Sequence, residues 1–354
     1  MIRYIRSGAL IGALTLGAAC NSDPLVPEES DFVPRPDTYV PADTATTTRI
    51  SGLAWDPEAF FLSLVGCGDT CPFPPLVSDG LPLYQMAAVR NGAVTAFDPV
   101  AVAPAVAPET TDAVGMWVLP KVPSRAGAPF FMLSLGQGTL PTESIAGLEP
   151  VPPAEYLPTL TMRPISTVHS TCTSQEVFHA SKKGILQAVA KHLTVVKGVP
   201  TTVEDLINPA KYYAATVFWL FHAGNGALRV PAAMTAVEAS AGQVFFIDWA
   251  PSFLPPASLR SERGFIVTTD APASPMGITV VLVPNNGAPP PELINYKIVD
   301  TVTDAATRRP WFFPPISAPI APTVIGFAGL QMMYQPSELP GYQLPPPPGL
   351  CLPL

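Results

Sequence analysis

Short apolar runs separated by turn residues dominate this chain, and only one stretch carries a clear helical period. Residues 50–55, 60–65, 86–90, 93–97, 116–119 and 129–135 are apolar or alternate between apolar and polar, which is the pattern of short strands. Asn91-Gly92 falls between two of them and reads as a hairpin turn, because this pair readily takes positive φ. The helical stretch follows. Thr173 and Glu176 have the spacing of a capping box, which predicts a helix over 174–193 with Val177, Ile185, Ala188, Val189 and Leu193 on one face. Thr202 and Asp205 offer a second cap, for a short helix ending near Asn208-Pro209. Strand signals return at 213–222, 234–239, 243–249, 264–269, 278–283, 296–302, 311–313 and 323–333.

This pattern predicts a mainly β fold with two β-sandwich domains, at 49–136 and 210–334. A Pro-rich linker at 137–172 and a short helical connector at 173–209 separate them, and a Pro-rich tail occupies 335–354. Composition agrees. Forty-six prolines disfavour long helices and central strands and suit short strands joined by stiff loops, while 48% hydrophobic residues are enough for a sizeable core.

The first 48 residues differ from the rest. Arg3 and Arg6 precede an uncharged, apolar run from Ser7 to Leu16, too short to span a bilayer and suited to the core of a secretory signal. Leu16-Gly17-Ala18-Ala19-Cys20 resembles the lipobox of bacterial lipoproteins, although the family's usual leucine three residues before the cysteine is Gly17 here. The resemblance implies a signal peptide over 1–19, cleavage before Cys20, and acylation of that cysteine by diacylglycerol and palmitate-type chains. Asn21, rather than Asp, leans the expected destination toward the outer membrane. Residues 20–48 are rich in proline and acids and cannot bury a core, so they read as a lipidated tether holding the body off the membrane. Loss of Arg3 and Arg6 with the signal moves the formal charge from −8 to −10, and no basic face is visible, which argues against nucleic acid as a partner.

A second resemblance rests on Asp79-Gly80-Leu81-Pro82-Leu83, Ala87-Ala88-Val89, and the run from Thr110 through Asp112, Gly115 and Trp117 to Pro123. Together these resemble the carboxypeptidase regulatory-like domain, a transthyretin-like sandwich related in shape to immunoglobulin domains. The resemblance implies strands around a turn at Gly115, and a binding or scaffolding module with no catalytic residues to carry over. The Ala/Pro/Val insert at 99–108 departs from that family's compact loop.

Four cysteines remain beside Cys20. In an oxidising compartment Cys67, Cys71, Cys172 and Cys351 suit two disulfides, with three pairings open and Cys67–Cys71 with Cys172–Cys351 favoured. Phosphate-loop, nucleophile-elbow and His-Glu-x-x-His motifs are missing. Glu176 and His179 share a face of the predicted helix, and His169 and Cys172 lie just before it; these are ligand types suited to zinc. The plainer roles are a cap for Glu176, a disulfide for Cys172 and local hydrogen bonds for the histidines, so no cofactor is called. Asp112, Asp270, Asp300 and Asp304 sit at expected strand ends, where turn capping is the plain role and calcium the alternative. Trp311, Phe312 and Phe313, ended by a proline pair, are the candidate exposed binding patch. The functional expectation is a membrane-anchored exported module of the cell envelope, facing the periplasm or exterior and binding protein or glycan partners. The competing expectation is a secreted hydrolase or metal-dependent enzyme using His169, Glu176 and His179.

Overall fold

The computed structural model describes residues 46–67, 81–125, 127–165, 167, 172–223, 229–231, 234–250, 256–268, 271–301, 311–312, 316–331 and 333–334. The signal, most of the tether, the tail, and with them Cys20, Cys71, His169, Phe313 and Cys351, lie outside the described residues.

The elements in chain order are mostly strands. β1 (Thr47–Trp55) leads into α1 (Pro57–Cys67) and α2 (Leu81–Ala87). Then come β2 (Ala93–Asp98), β3 (Ala103–Pro104), β4 (Glu109–Thr110), β5 (Met116–Pro123) and β6 (Phe130–Ser134). A run of pieces follows: β7 (Tyr156–Leu157), β8 (Thr159–Ile165), β9 (Cys172–Ser174), β10 (Val177–Phe178) and β11 (Ala180–Ser181), leading to α3 (Ile185–Val195). Next are β12 (Tyr212–Ala223), β13 (Arg229–Pro231), β14 (Thr235–Ala239), β15 (Gln243–Trp249), β16 (Phe265–Thr268) and β17 (Ile278–Pro284). The last are β18 (Leu293–Asp300), β19 (Trp311–Phe312), β20 (Ile316–Pro319), β21 (Ile325–Gln331) and β22 (Met333–Tyr334).

The fold is mainly β, as the pattern predicts. One mixed sheet of eleven strands has the order β16-β15-β17-β12-β21-β8-β6-β2-β3, with β13 and β4 at its flanks. Smaller sheets pack on it. The β10-β1-β5 sheet closes one apolar core, in which Ile50, Trp117 and Leu119 meet Val94, Phe130 and Met132. The β14-β18-β20 sheet closes a second, in which Ile294 and Tyr296 meet Phe218 and Val281. Alternate residues of β12 divide between two cores, as a period of two requires: Phe218 and Leu220 enter this one, while Val217 and Trp219 enter a larger core with the helices. Two sandwich-like cores are thus built on a single sheet. It crosses the stretch read as a linker, since β8 runs parallel to β21, which runs parallel to β12.

Several local expectations fail. Residues 60–65 are helical, not extended, because Asp56 caps α1: its Oδ1 accepts from the N–H groups of Glu58 at 2.9 Å and Ala59 at 3.1 Å, and Pro57 fills the first helical position. The apolar run there is buried or half-buried from Phe60 to Leu64 and exposed only at Val65, so its periodicity does not distinguish strand from helix. Residues 81–87, the centre of the carboxypeptidase regulatory-like resemblance, also form a helix. Consequently Asn91-Gly92 does not close a hairpin from 86–90, and β2 pairs instead with β6, β3 and β4. The predicted helix over 174–193 begins only at Ile185; the capping-box residues continue β9 toward β10, because β1 offers a parallel partner to both.

Other expectations hold. Asp112 closes the turn before β5 by accepting from Val114 and Met116 N–H, at 2.9 and 2.8 Å, with Gly115 at φ +79°. Thr202 and Asp205 exchange backbone-to-side-chain hydrogen bonds at 2.9 and 3.3 Å around the short 3₁₀ helix Glu204–Ile207.

Candidate functional site

The densest chemistry among the described residues is a buried ionic cluster that none of the sequence motifs announces. Asp56 sits at the α1 cap and Glu58 one residue inside the helix; both are buried. Arg263 reaches them from the segment before β16, with Nη1 2.7 Å from Asp56 Oδ2 and 3.1 Å from Glu58 Oε2. Tyr156, from β7, donates its hydroxyl to the same Asp56 oxygen at 3.2 Å. The remaining Glu58 oxygen accepts from Ile185 N–H at 2.8 Å. This last contact stands in for a cap, because the N-cap of α3 is Gly184, which has no side chain to offer. A β-carbon at Gly184 would lie within the Glu58 carboxyl group, so the approach of α3 to α1 requires glycine at this position.

Charge balance dominates the electrostatics. Burial pushes Glu58 up from its ordinary 4.5 to about 7; Arg263 opposes the shift and Asp56 adds to it. Burial, reinforced by Asp56, also drives the Tyr156 hydroxyl well above its usual range. For Arg263 burial acts downward, but Asp56 and Glu58 together outweigh it and keep the guanidinium charged. His179 packs edge-on against Tyr156, ring centres 5.2 Å apart, and burial holds it at about 3, so the ring is neutral. The cluster ties α1, α3, β7 and the segment before β16 together. All its members are enclosed, a geometry suited to a clamp more than to a reaction on a diffusing substrate.

The sequence-derived candidates are placed as follows. Glu176 and His179 are both buried, at 4% and 0% exposure, and stand on extended chain, not on a helix. Among the described residues no group of three or more His, Cys, Asp or Glu is arranged to hold a metal. Cys172 is buried in β9, and Cys67 is the last residue of α1. Trp311 and Phe312 form β19, paired with Tyr334 and Met333 of β22. Asp56 and Glu58 were legible as a helix start, since Asp-Pro-Glu is a capping sequence; nothing local marks Arg263 or Tyr156 as their partners. No helix among the described residues is long and apolar enough to cross a membrane.

A second feature faces outward. Residues 99–102 form the tip between β2 and β3, and Val100 and Val102 are 70% and 75% exposed. The base is rigid. Asp98 Oδ1 accepts from Val100 N–H at 2.8 Å, and Arg125 grips both Asp98 oxygens at 2.6 and 2.8 Å while stacking 4.1 Å over Phe130.

No protein family profile and no curated protein matches the chain. Among solved structures, it is similar to GBS52, the minor pilin of Streptococcus agalactiae, at 7% identity and a TM-score of 0.19, over 85% of this chain and 100% of that one. It is also similar to a streptococcal ancillary pilin, at 9% identity and a TM-score of 0.19, over 83% of this chain and 64% of that one. Likenesses at this level carry no argument about activity or partners.

Proposed function

We propose that the chain is an exported lipoprotein of the cell envelope, anchored through acylated Cys20 and displaying a rigid β scaffold that binds protein or glycan partners. One observation carries the scaffold part of the reading. Asp56, Glu58, Tyr156 and Arg263 are sealed inside the body and spent on the clamp between its elements, and His179 is sealed beside them. The anchor rests on the lipobox, and the outer membrane on Asn21. The disulfides Cys67–Cys71 and Cys172–Cys351 belong to the same reading, since an exported body meets oxidant. In support of a disulfide at Cys172, its side chain is buried in β9.

Intact mass and fractionation test the proposal together. The native protein should begin at Cys20, carry the added mass of a diacylglycerol and an acyl chain, and sediment with membranes. Cys20→Ser should appear as an unlipidated form. Unchanged membrane association of Cys20→Ser, or a native protein without lipid mass, would end the anchoring claim.

A further inference from the structure

We infer that the uncharged hairpin tip at residues 99–102 is a second, reversible membrane contact, which dips into the lipid surface to which the N-terminal anchor holds the body. The inference rests on the anchoring reading and adds to it a face and an orientation.

Three observations support it. The first is chemical: from Pro99 through Pro108 the chain has no charged residue, and the two most exposed large apolar side chains of the described body, Val100 and Val102, stand together at the tip. Val102 holds φ +51°, a conformation that β-branched residues avoid, and the clamp of Arg125 on Asp98 keeps the base of the tip in place. The second concerns how a partner could attach. β3 lies at the end of the main sheet, but it is only two residues long and contains Pro104, so pairing with an added strand is blunted. The tip therefore offers convex apolar side chains and little free backbone, which suits a fluid acyl phase better than strand addition.

The third observation fixes the occupant. The described chain starts at Thr46, whose carbonyl accepts from Ser124 N–H at 3.0 Å, and Thr47 pairs with Pro123. The next residue, Arg125, is the one that grips Asp98 at the base of the tip. The leash toward Cys20 thus leaves the body beside the hairpin. The 26 residues that the anchoring reading places between the lipid on Cys20 and the body reach about 80 Å at full polyproline extension, which keeps the lipid within range of the hairpin end of the body. Two valines bind lipid too weakly to act alone; as a second contact beside an anchor they need only a local, intramolecular equilibrium. Glu109, just beyond the uncharged run, disfavours anionic headgroups, so the fitting surface is zwitterionic.

The test uses the mature protein with its native N-terminal lipid, reconstituted into phosphatidylcholine vesicles. A Val100→Trp variant should give added emission that is blue-shifted and quenched by brominated phosphatidylcholine, beyond the constant background of the native tryptophans. Adding Val102→Asp should abolish the quenching while the protein still floats with the vesicles. Val102→Trp gives an independent reading, and an unchanged unfolding midpoint in each variant shows that the body is intact. Flotation with water-exposed, unquenched emission would overturn the contact and leave the anchor standing, as it would if the tip instead served a protein partner. Failure to float would remove the anchor, and the contact with it, by a separate readout.

Discussion

At Glu58 two demands conflict. Its oxygens are needed as acceptors by Ile185 N–H and Arg263, which favours the carboxylate, yet full burial beside Asp56 disfavours a second negative charge on one guanidinium. Burial wins, so folding binds a proton at Glu58 between the unfolded value of 4.5 and about 7. The stability this contributes is complete below 4.5 and is lost as pH rises through 7, the reverse of an ordinary paired carboxylate. Removing the cation should exaggerate the trend. Arg263→Met leaves two buried carboxyl groups without a counter-charge and should cost about 3–5 kcal/mol at pH 8. Much of that loss should return on acidification toward pH 5, as Glu58 takes a proton. Urea unfolding at the two pH values measures this; a loss that does not depend on pH would show that Arg263 matters for packing and not for charge.

The capping of α3 from a different helix is a device at the scale of elements. Glu58 approaches Ile185 only because Gly184 has no β-carbon. Gly184→Ala should therefore displace the carboxyl group, leave a buried N–H unmet, and lower stability by about 1–3 kcal/mol. Gly66→Ala, near the end of α1 with no atom within 4 Å of the new methyl, is the control and should be neutral or slightly stabilising. Equal effects in the two variants would contradict the cap. The same elements show why helices were misplaced on sequence grounds. The Thr173/Glu176 spacing is a capping box only if helix follows; with β1 available as a parallel partner, the segment gains more from ladder hydrogen bonds, and helix waits until residue 185. At α1 the signal was the reverse: the capping trio Asp56-Pro57-Glu58 outweighed an apolar run that looks like strand.

Across the whole molecule, β21 joins what the sequence divides. It lies parallel between β12 and β8 and so belongs to the sheet of both expected sandwiches. A chain ending at residue 320 should lose the protection of amides in β8 and β12 together, in hydrogen exchange and in a single unfolding transition. Retained protection over 93–165 would mean that the first sandwich stands as an independent unit. The mainly β class, the positions of most strands, the turn at Gly115 and the cap at Thr202 and Asp205 are readable in the sequence, because period, turn chemistry and caps are written within a few neighbouring residues. The order of the eleven-stranded sheet and the meeting of Arg263 with Asp56, which are 207 residues apart, are settled only when distant segments pack together. Those outcomes depend on which distant surfaces share the burial of apolar area and charge, and no local pattern encodes that choice.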